Sequence, residues 1–383
     1  MFKSSSYDII ILGAGCAGLS LLMRLLKHTQ FREKSFLLID KEIKNRNDRT
    51  WCFWEKEKGF FEDIVFRKWD TVSFLSDDYS SSERILPYRY KMIRGIDFYR
   101  HCFDTIADHP NVELACGEVN EWKFESDTIF FRINGNVIRL QNTGTHVFNS
   151  FYSPNSHDEH TIRLIQHFKG WVIKTPAPLF NPGEAVIMDF RVHQKRGTTF
   201  VYMLPFDETT ALIEYTLFSG ELLPEGEYDQ ELKDYIISFL GINEYTIIEE
   251  EQGQIPMTNE KLCFAGHGWQ IGTAGGQTKP SSGYTFQFIQ KQSQQVTDYL
   301  LAGKPLEKIP ATPKRFRFYD NTLLHVLYKN YLPGQKIFTE LFRKNKIQSV
   351  LRFLDNESSF SEDIKIISSL PKIPFLKAAF HQF

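Results

Sequence analysis

The stretch that most constrains this chain lies at its start, where residues 9–18 read Ile-Ile-Ile-Leu-Gly-Ala-Gly-Cys-Ala-Gly. Four unbroken apolar residues mark a strand buried on both faces of a parallel sheet. The glycines that follow keep a G-x-G-x-x-G spacing, and a helical pattern runs from Ala17 to about Lys27. Gly13 allows the tight turn, Gly15 lets a pyrophosphate approach the backbone, and Gly18 lets helix and strand pack closely. The helix start offers unpaired N–H groups and a positive dipole end to phosphates. A second apolar strand, Phe36-Leu37-Leu38-Ile39, ends at Asp40, where an acidic residue meets an adenosine ribose. Strand, helix, strand and acid in this order predict a dinucleotide site. The bland alternative is a glycine-rich turn that merely packs.

With 383 residues the chain has room for two domains and a sizeable core, and its formal charge of −2 argues against a general nucleic-acid role. The five cysteines (Cys16, Cys52, Cys102, Cys116 and Cys263) are odd in number and show no C-x-x-C. They resemble neither a disulfide framework nor a zinc site, so a reducing cytosol is the expected setting. Met1-Phe2-Lys3 leads almost directly into the first strand, leaving no room for a signal peptide. No stretch reaches the about eighteen apolar residues of a membrane span. The expectation is a protein that is soluble or peripheral to a membrane.

Downstream, Asp48-Arg-Thr-Trp-Cys-Phe-Trp-Glu55 reads either as a hydrophobic plug on the sheet or as a pocket wall beside the cofactor. A helix is expected over Ile96–Ala107, strands at about Val112–Val119 and Thr128–Gln141 with a hairpin turn at Asn134-Gly135, and a return to the nucleotide-binding sheet at His146–Phe151. His157, His160 and His167 fit no common metal spacing, and a solvated face is expected there. Antiparallel strands follow at Trp171–Lys174, Ala185–Val192, Thr199–Leu204 and Ala211–Phe218, then a helix at Tyr228–Leu240. Leu262-Cys-Phe-Ala265 is a short buried strand followed by Gly266, Gly268, Gly272, Gly275 and Gly276 and a helix from about Ser282 to Leu300. That late return to a glycine-rich loop favours FAD over NAD, because a plain NAD domain would be finished by mid-chain.

The expected fold class is α/β. A G-x-G-x-x-G FAD-binding domain of the Rossmann type (1–150 and 253–305) is interleaved with an antiparallel substrate domain (151–252). A helical region, 306–383, closes the chain. It holds 13 Lys and Arg against 7 Asp and Glu, which suits either an amphipathic helical cap or a cationic face on an anionic membrane.

Glu214 stands mid-strand, where Glu is disfavoured, on the same face as Leu212, Thr216 and Phe218. Alone, it reads as a carboxylate on the wet face of a sheet. Were that face to line an apolar pocket, desolvation would keep a proton on it near neutrality. Asp189 alternates with Arg191 and poses the same question, with a simple ion pair as the bland reading.

Six motifs, in order, resemble bacterial lycopene β-cyclases of the flavoprotein type. They are Ile11-Leu-Gly-Ala-Gly-Cys-Ala-Gly, Asp48-Arg-Thr-Trp-Cys-Phe-Trp, Ile187-Met-Asp, Phe200-Val-Tyr-Met-Leu-Pro, Leu212-Ile-Glu-Tyr-Thr and Gly275-Gly-Gln-Thr-Lys-Pro-Ser-Ser-Gly-Tyr. The resemblance runs from about residue 7 to 300 and implies a fold related to aromatic hydroxylases and geranylgeranyl reductases. It implies closure of lycopene through γ-carotene to β-carotene, with Glu214 as acid and Asp189 positioning or recharging it. FAD contacts are implied at Gly13, Ala14, Gly15, Ala17, Gly18, Asp40, Lys41, Arg49, Gly266, Gly275 and Gly276, and no metal. The active flavin would be reduced, with NAD(P)H as reductant only, and the enzyme would load its hydrocarbon from the inner face of the cell membrane. Three departures stand out: Gly266-His267-Gly268 lacks the usual Asp, Asn149 replaces a common acid, and Tyr215 leaves Glu214 the only carboxyl in its motif. The rival readings are an FAD monooxygenase or isoprenoid reductase of the same fold, and a carotenoid-binding protein without turnover.

Overall fold

The computed structural model describes residues 2–154, 161–260 and 268–382. His157, His160, the strand expected at 262–265, Cys263, Gly266 and His267 lie outside the described residues.

The apolar runs at the start of the chain become the middle of a five-stranded parallel sheet. Its order is Trp269–Gln270, His146–Asn149, Ile9–Leu12, Phe36–Asp40 and Val112–Cys116. Alternation explains why these runs are unbroken. Ile9, Ile11, Phe36 and Leu38 face the helices Cys16–Leu26, Gly95–Ala107 and Phe286–Leu301, while Ile10, Leu12, Leu37 and Ile39 face a small antiparallel sheet, Val119–Glu125, Thr128–Ile133 and Asn136–Gln141. The hairpin inside that sheet turns at Asn134 and Gly135, both at positive φ, as a two-residue turn matched to the strand twist requires. His146–Asn149 does return to the nucleotide-binding sheet, beside the first strand.

The second sheet has seven strands, in the order Thr246–Thr258, Arg163–Lys174, Thr210–Ser219, Thr198–Pro205, Glu184–Asp189, Thr71–Ser76 and Tyr79–Arg84. All neighbours are antiparallel except Glu184–Asp189 with Thr71–Ser76. The two strands within 71–84 were expected in the nucleotide unit, and Thr246–Thr258 runs past the expected boundary at 252. Neither strand carries a local signal for its sheet, because the partner of Thr71–Ser76 lies more than a hundred residues away.

One face of this sheet buries Ile173, Val201, Ile213, Tyr215 and Leu217 under the helix Glu225–Ser238. The opposite face is covered by a three-stranded sheet, Thr50–Glu55, Arg89–Arg94 and Arg67–Trp69, and by C-terminal helices that insert Phe338, Leu341, Phe342, Val350 and Leu351. Residues 306–382 hold five helices: Lys314–Tyr328, Gly334–Lys344, Ile347–Leu354, Phe360–Ser369 and Lys372–Phe380. The solvated face expected at His167 is corrected: that ring is 1% exposed, with Ser219 Oγ 2.7 Å from Nε2 and the Tyr228 hydroxyl 2.6 Å from Nδ1.

Candidate active site

The first glycine loop has the geometry its spacing predicts. Gly13 sits at φ +103, where a Cβ would lie 2.1 Å from Ser150 Oγ. A Cβ at Gly18 would lie 1.9 Å from the Gly13 carbonyl oxygen, so only glycine lets helix and strand approach this closely. Gly15 differs: nothing lies within 4 Å of where its Cβ would stand, and the helix Cys16–Leu26 begins there with no side-chain cap and no acid in its first turn. That is open space over a positive helix end, which fits a pyrophosphate.

Asp40 closes the far side of the loop, its Oδ2 accepting the Ala14 N–H at 2.6 Å. Lys41 is exposed, and it is Lys44 that approaches Asp40, at 3.6 Å. Arg49 pairs with Asp48 at 3.1 Å and lies close enough to Cys16 to add positive potential at the start of the helix. The late glycine loop comes back to the same place. A Cβ at Gly272 would lie 2.6 Å from that of Ala17, and the turn Gly272–Gly275 ends in Gly276 at φ +75. The late loop thus meets the first at Ala17, with Gly275 and Gly276 closing the turn that begins at Gly272, while Gly13, Ala14, Gly15, Gly18, Asp40 and Arg49 lie about the first loop and Gly266 lies outside the described residues. Asn149 spends its amide on the backbone N–H of Phe151 and on Gln270.

The aromatic motif after Arg49 is a strand, and its alternation sends its side chains to two different surroundings. Trp51 and Phe53 pack on Phe286, with Phe53 stacked at 4.4 Å, as a plug under the nucleotide unit. Thr50, Cys52 and Trp54 point the other way, toward the seven-stranded sheet and Glu214.

Glu214 is not on a wet face. Its strand register places it opposite Tyr202 on one side and Gly170 on the other, on the face covered by aromatic strands and C-terminal helices. Protein encloses it, yet the side chain keeps some accessible surface, so free space adjoins it. Its Oε1 accepts from Thr216 Oγ1 at 2.8 Å. Tyr202 lies beside Tyr284, and Trp54 meets Tyr284 edge-on at 4.6 Å. Burial, and then the nearby carboxyl of Glu251, pushes the Glu214 carboxyl well above the usual range.

Glu251 is a carboxyl beside Glu214 that sequence reasoning missed. It follows Glu249 and Glu250 on an edge strand, a charge run that reads as solvated, yet it is 7% exposed. Gly170 faces both acids, pairing with Glu214 across one ladder and with Glu251 across the next. The two backbones stand two strand spacings apart, about 10 Å, and the side chains converge over the glycine between them. A Cβ on Gly170 would lie 3.1 Å from Glu251 Cγ and 2.9 Å from Leu212 Cδ1. An isolated glycine inside a strand was the available signal.

Asp189 is not brought to Glu214. Its register partner Val201 pairs in turn with Tyr215, one residue off the Tyr202–Glu214 row, so Asp189 lies on the opposite face. There it is fully buried, gripped by Arg191 at 2.9 and 2.6 Å and by the Tyr235 hydroxyl at 2.8 Å. The bland reading of Asp189, a simple ion pair, describes its surroundings.

Among solved structures the chain is similar to a geranylgeranyl bacteriochlorophyll reductase-like protein from Thermoplasma acidophilum. The TM-score is 0.67 at 12% identity, over 97% of this chain and 98% of that one. A flavin-dependent brominase gives 0.62 at 14% identity, over 94% and 97%. At these identities the likeness shows the fold alone, an α/β fold shared with flavin-dependent enzymes. In sequence the chain is 28% identical over 295 residues to a lycopene beta-cyclase of Pantoea ananas, covering 73% of this chain and 71% of that protein. It is 24% identical over 301 residues to a chloroplastic neoxanthin synthase of Solanum tuberosum, of which it spans 57%. The family model described as lycopene cyclase protein matches residues 8–380. Covered by that match almost from end to end, the chain belongs to the lycopene cyclase family.

Proposed function

We propose that this protein is a lycopene β-cyclase that closes the ends of lycopene through γ-carotene to β-carotene without net transfer of electrons. The observation that carries the reading is Glu214: an enclosed carboxyl, next to free space, with no cation paired to it among the described residues and Tyr202 beside it, backed by Tyr284 and Trp54.

Ring closure begins when a proton reaches the terminal double bond and leaves a tertiary cation, which the neighbouring double bond attacks. Glu214 supplies that proton, because burial favours its protonated form. Tyr202, Tyr284 and Trp54 offer π faces to the cation in a space where such attraction is stronger than in water. Asp189 holds Arg191 and Tyr235 together beneath the sheet and acts on its stability. Gly13, Ala14, Gly15, Ala17, Gly18, Asp40, Arg49, Gly275 and Gly276 would hold FAD, with Lys41 exposed at the rim. FAD held there in its reduced, anionic form would supply negative charge that stabilises a cation, and NAD(P)H would be needed only as its reductant.

The substrate dissolves in bilayers, and the last helix offers a way to meet one. On Lys372–Phe380, Ile373, Leu376 and Phe380 are exposed along one stripe beside Lys372 and Lys377, and Phe360 and Ile364 are exposed on the helix before it. Among the described residues no helix is long and apolar enough to cross a membrane. An apolar stripe with flanking lysines suits docking on an anionic surface. Flotation with anionic vesicles is expected to carry the protein, and Ile373→Ser with Phe380→Ser to weaken that binding.

Expression in a lycopene-accumulating bacterium, followed by chromatography of the pigments, tests the function. A bicyclic product of unchanged mass is expected. Persistent lycopene from folded, flavin-loaded protein would overturn it, and stoichiometric consumption of NAD(P)H would favour a monooxygenase or reductase.

A further inference from the structure

Among the described residues no cation forms an ion pair with either of the two glutamates beside Gly170, and their carboxyls are neighbours over that glycine. Thr216 serves Glu214 Oε1, and Thr50 Oγ1 donates to Glu251 Oε2 at 2.7 Å. Glu251 Oε1 is buried with no donor among the described residues. An unsatisfied carboxylate oxygen in that position is costly, and the Glu214 carboxyl is the neighbour that can supply a proton to it. From this geometry we infer that Glu214 and Glu251 share one proton, with Glu251 the ionised partner that aims the acid and, with it, retakes the proton released at ring closure. The inference rests on the assignment of Glu214 as the acid.

The proton count balances. The resting pair holds one proton and one negative charge. Donation breaks the Glu214 O–H bond and forms a C–H bond at the terminal double bond, so the pair gains a negative charge as the substrate becomes a cation. After ring closure a ring C–H bond breaks and an O–H bond re-forms on the pair. No electrons enter or leave. Two adjacent carboxylates resist staying ionised together, which makes the emptied pair a strong base for that last proton.

The groups facing the pair do not titrate with it. Cys52 and Tyr202 lie against Glu214, with Tyr90 and Tyr284 behind them, and burial pushes all four up, so they stay neutral. Burial raises the Glu251 carboxyl too, while the contacts with Thr50 and Glu214 favour its ionised form, and Glu249 and Arg49 act on it with opposite signs.

Infrared titration of the flavin-loaded protein, with pH–rate profiles, tests the pair. Wild type is expected to show a protonated-carboxyl band that persists to neutral pH and disappears in Glu214→Gln. Glu251→Gln removes the like charge, so both the band and the alkaline limb of activity move down by about one pH unit or more, with turnover down about 10–100-fold. Glu251→Asp keeps the charge and brings the limb back toward wild type. A wild-type spectrum with no such band at neutral pH overturns the inference, as does a Glu251→Gln protein whose band and limb both stay in place. Should Glu214→Gln lose the band yet still cyclise lycopene, the acid assignment falls while the shared proton stands.

Discussion

The two faces of the seven-stranded sheet each enclose an acidic side chain, and they treat it in opposite ways. Asp189 is held by a two-point guanidinium contact and a tyrosine hydroxyl under the helix Glu225–Ser238. Glu214, on the other face, is given one threonine hydroxyl, a second carboxyl and aromatic rings. A fully satisfied charge is locked and chemically quiet. A charge denied a cation keeps its proton, and that proton is available for transfer. Burial alone therefore does not mark an acid catalyst; the identity of its neighbours does.

The contrast is most sharply broken at Glu214. Glu214→Gln is expected to lower cyclisation by about a thousandfold or more with flavin absorbance retained, as loss of a general acid does. Gly170→Val should come next. It pushes a side chain between the two acids, and turnover measured on folded protein should fall by about 10–100-fold. Asp189→Asn should act on stability instead. Removing one partner of a buried ion pair costs about 2–3 kcal/mol, read as a lower denaturant midpoint, while turnover per flavin-loaded molecule falls far less than in Glu214→Gln.

The smallest effect is expected at Asp355, another buried carboxyl, at the end of the helix Ile347–Leu354. Burial raises it to about 7, with Lys291 opposing. The folded protein therefore keeps a proton that the unfolded chain releases, and stability declines as pH rises from about 4 to 7. Asp355→Asn removes that cost, so its melting temperature should exceed that of wild type by a few degrees at about pH 8 and by nothing near pH 4.

Much of this architecture was legible in the chain because it rests on local chemistry. The turn at Gly13, the open approach at Gly15 and the close packing at Gly18 each follow from a missing Cβ. The unbroken Ile9–Leu12 run follows from a sheet covered on both sides. The return of the late glycines to Ala17 was legible as an order of motifs along the chain. Glu214 was legible as an oddity, since a charged residue inside a β-branched and aromatic strand asks for a reason.

What the amino-acid sequence by itself determined was the dinucleotide cradle, the antiparallel character of the second sheet and the identity of one unusual acid. Only the tertiary structure decided which face that acid occupies and what shares it. Alternation assigns residues to two faces but does not say which face is covered, and here the cover comes from strands near residues 50–94 and helices beyond 334. Nor does alternation pair strands. Gly170, Glu214 and Glu251 meet because three segments spread over some eighty residues lie side by side in register. Solvation of a carboxyl is a property of everything packed around it, so the same glutamate is a surface charge or a stored proton according to contacts that no local pattern contains.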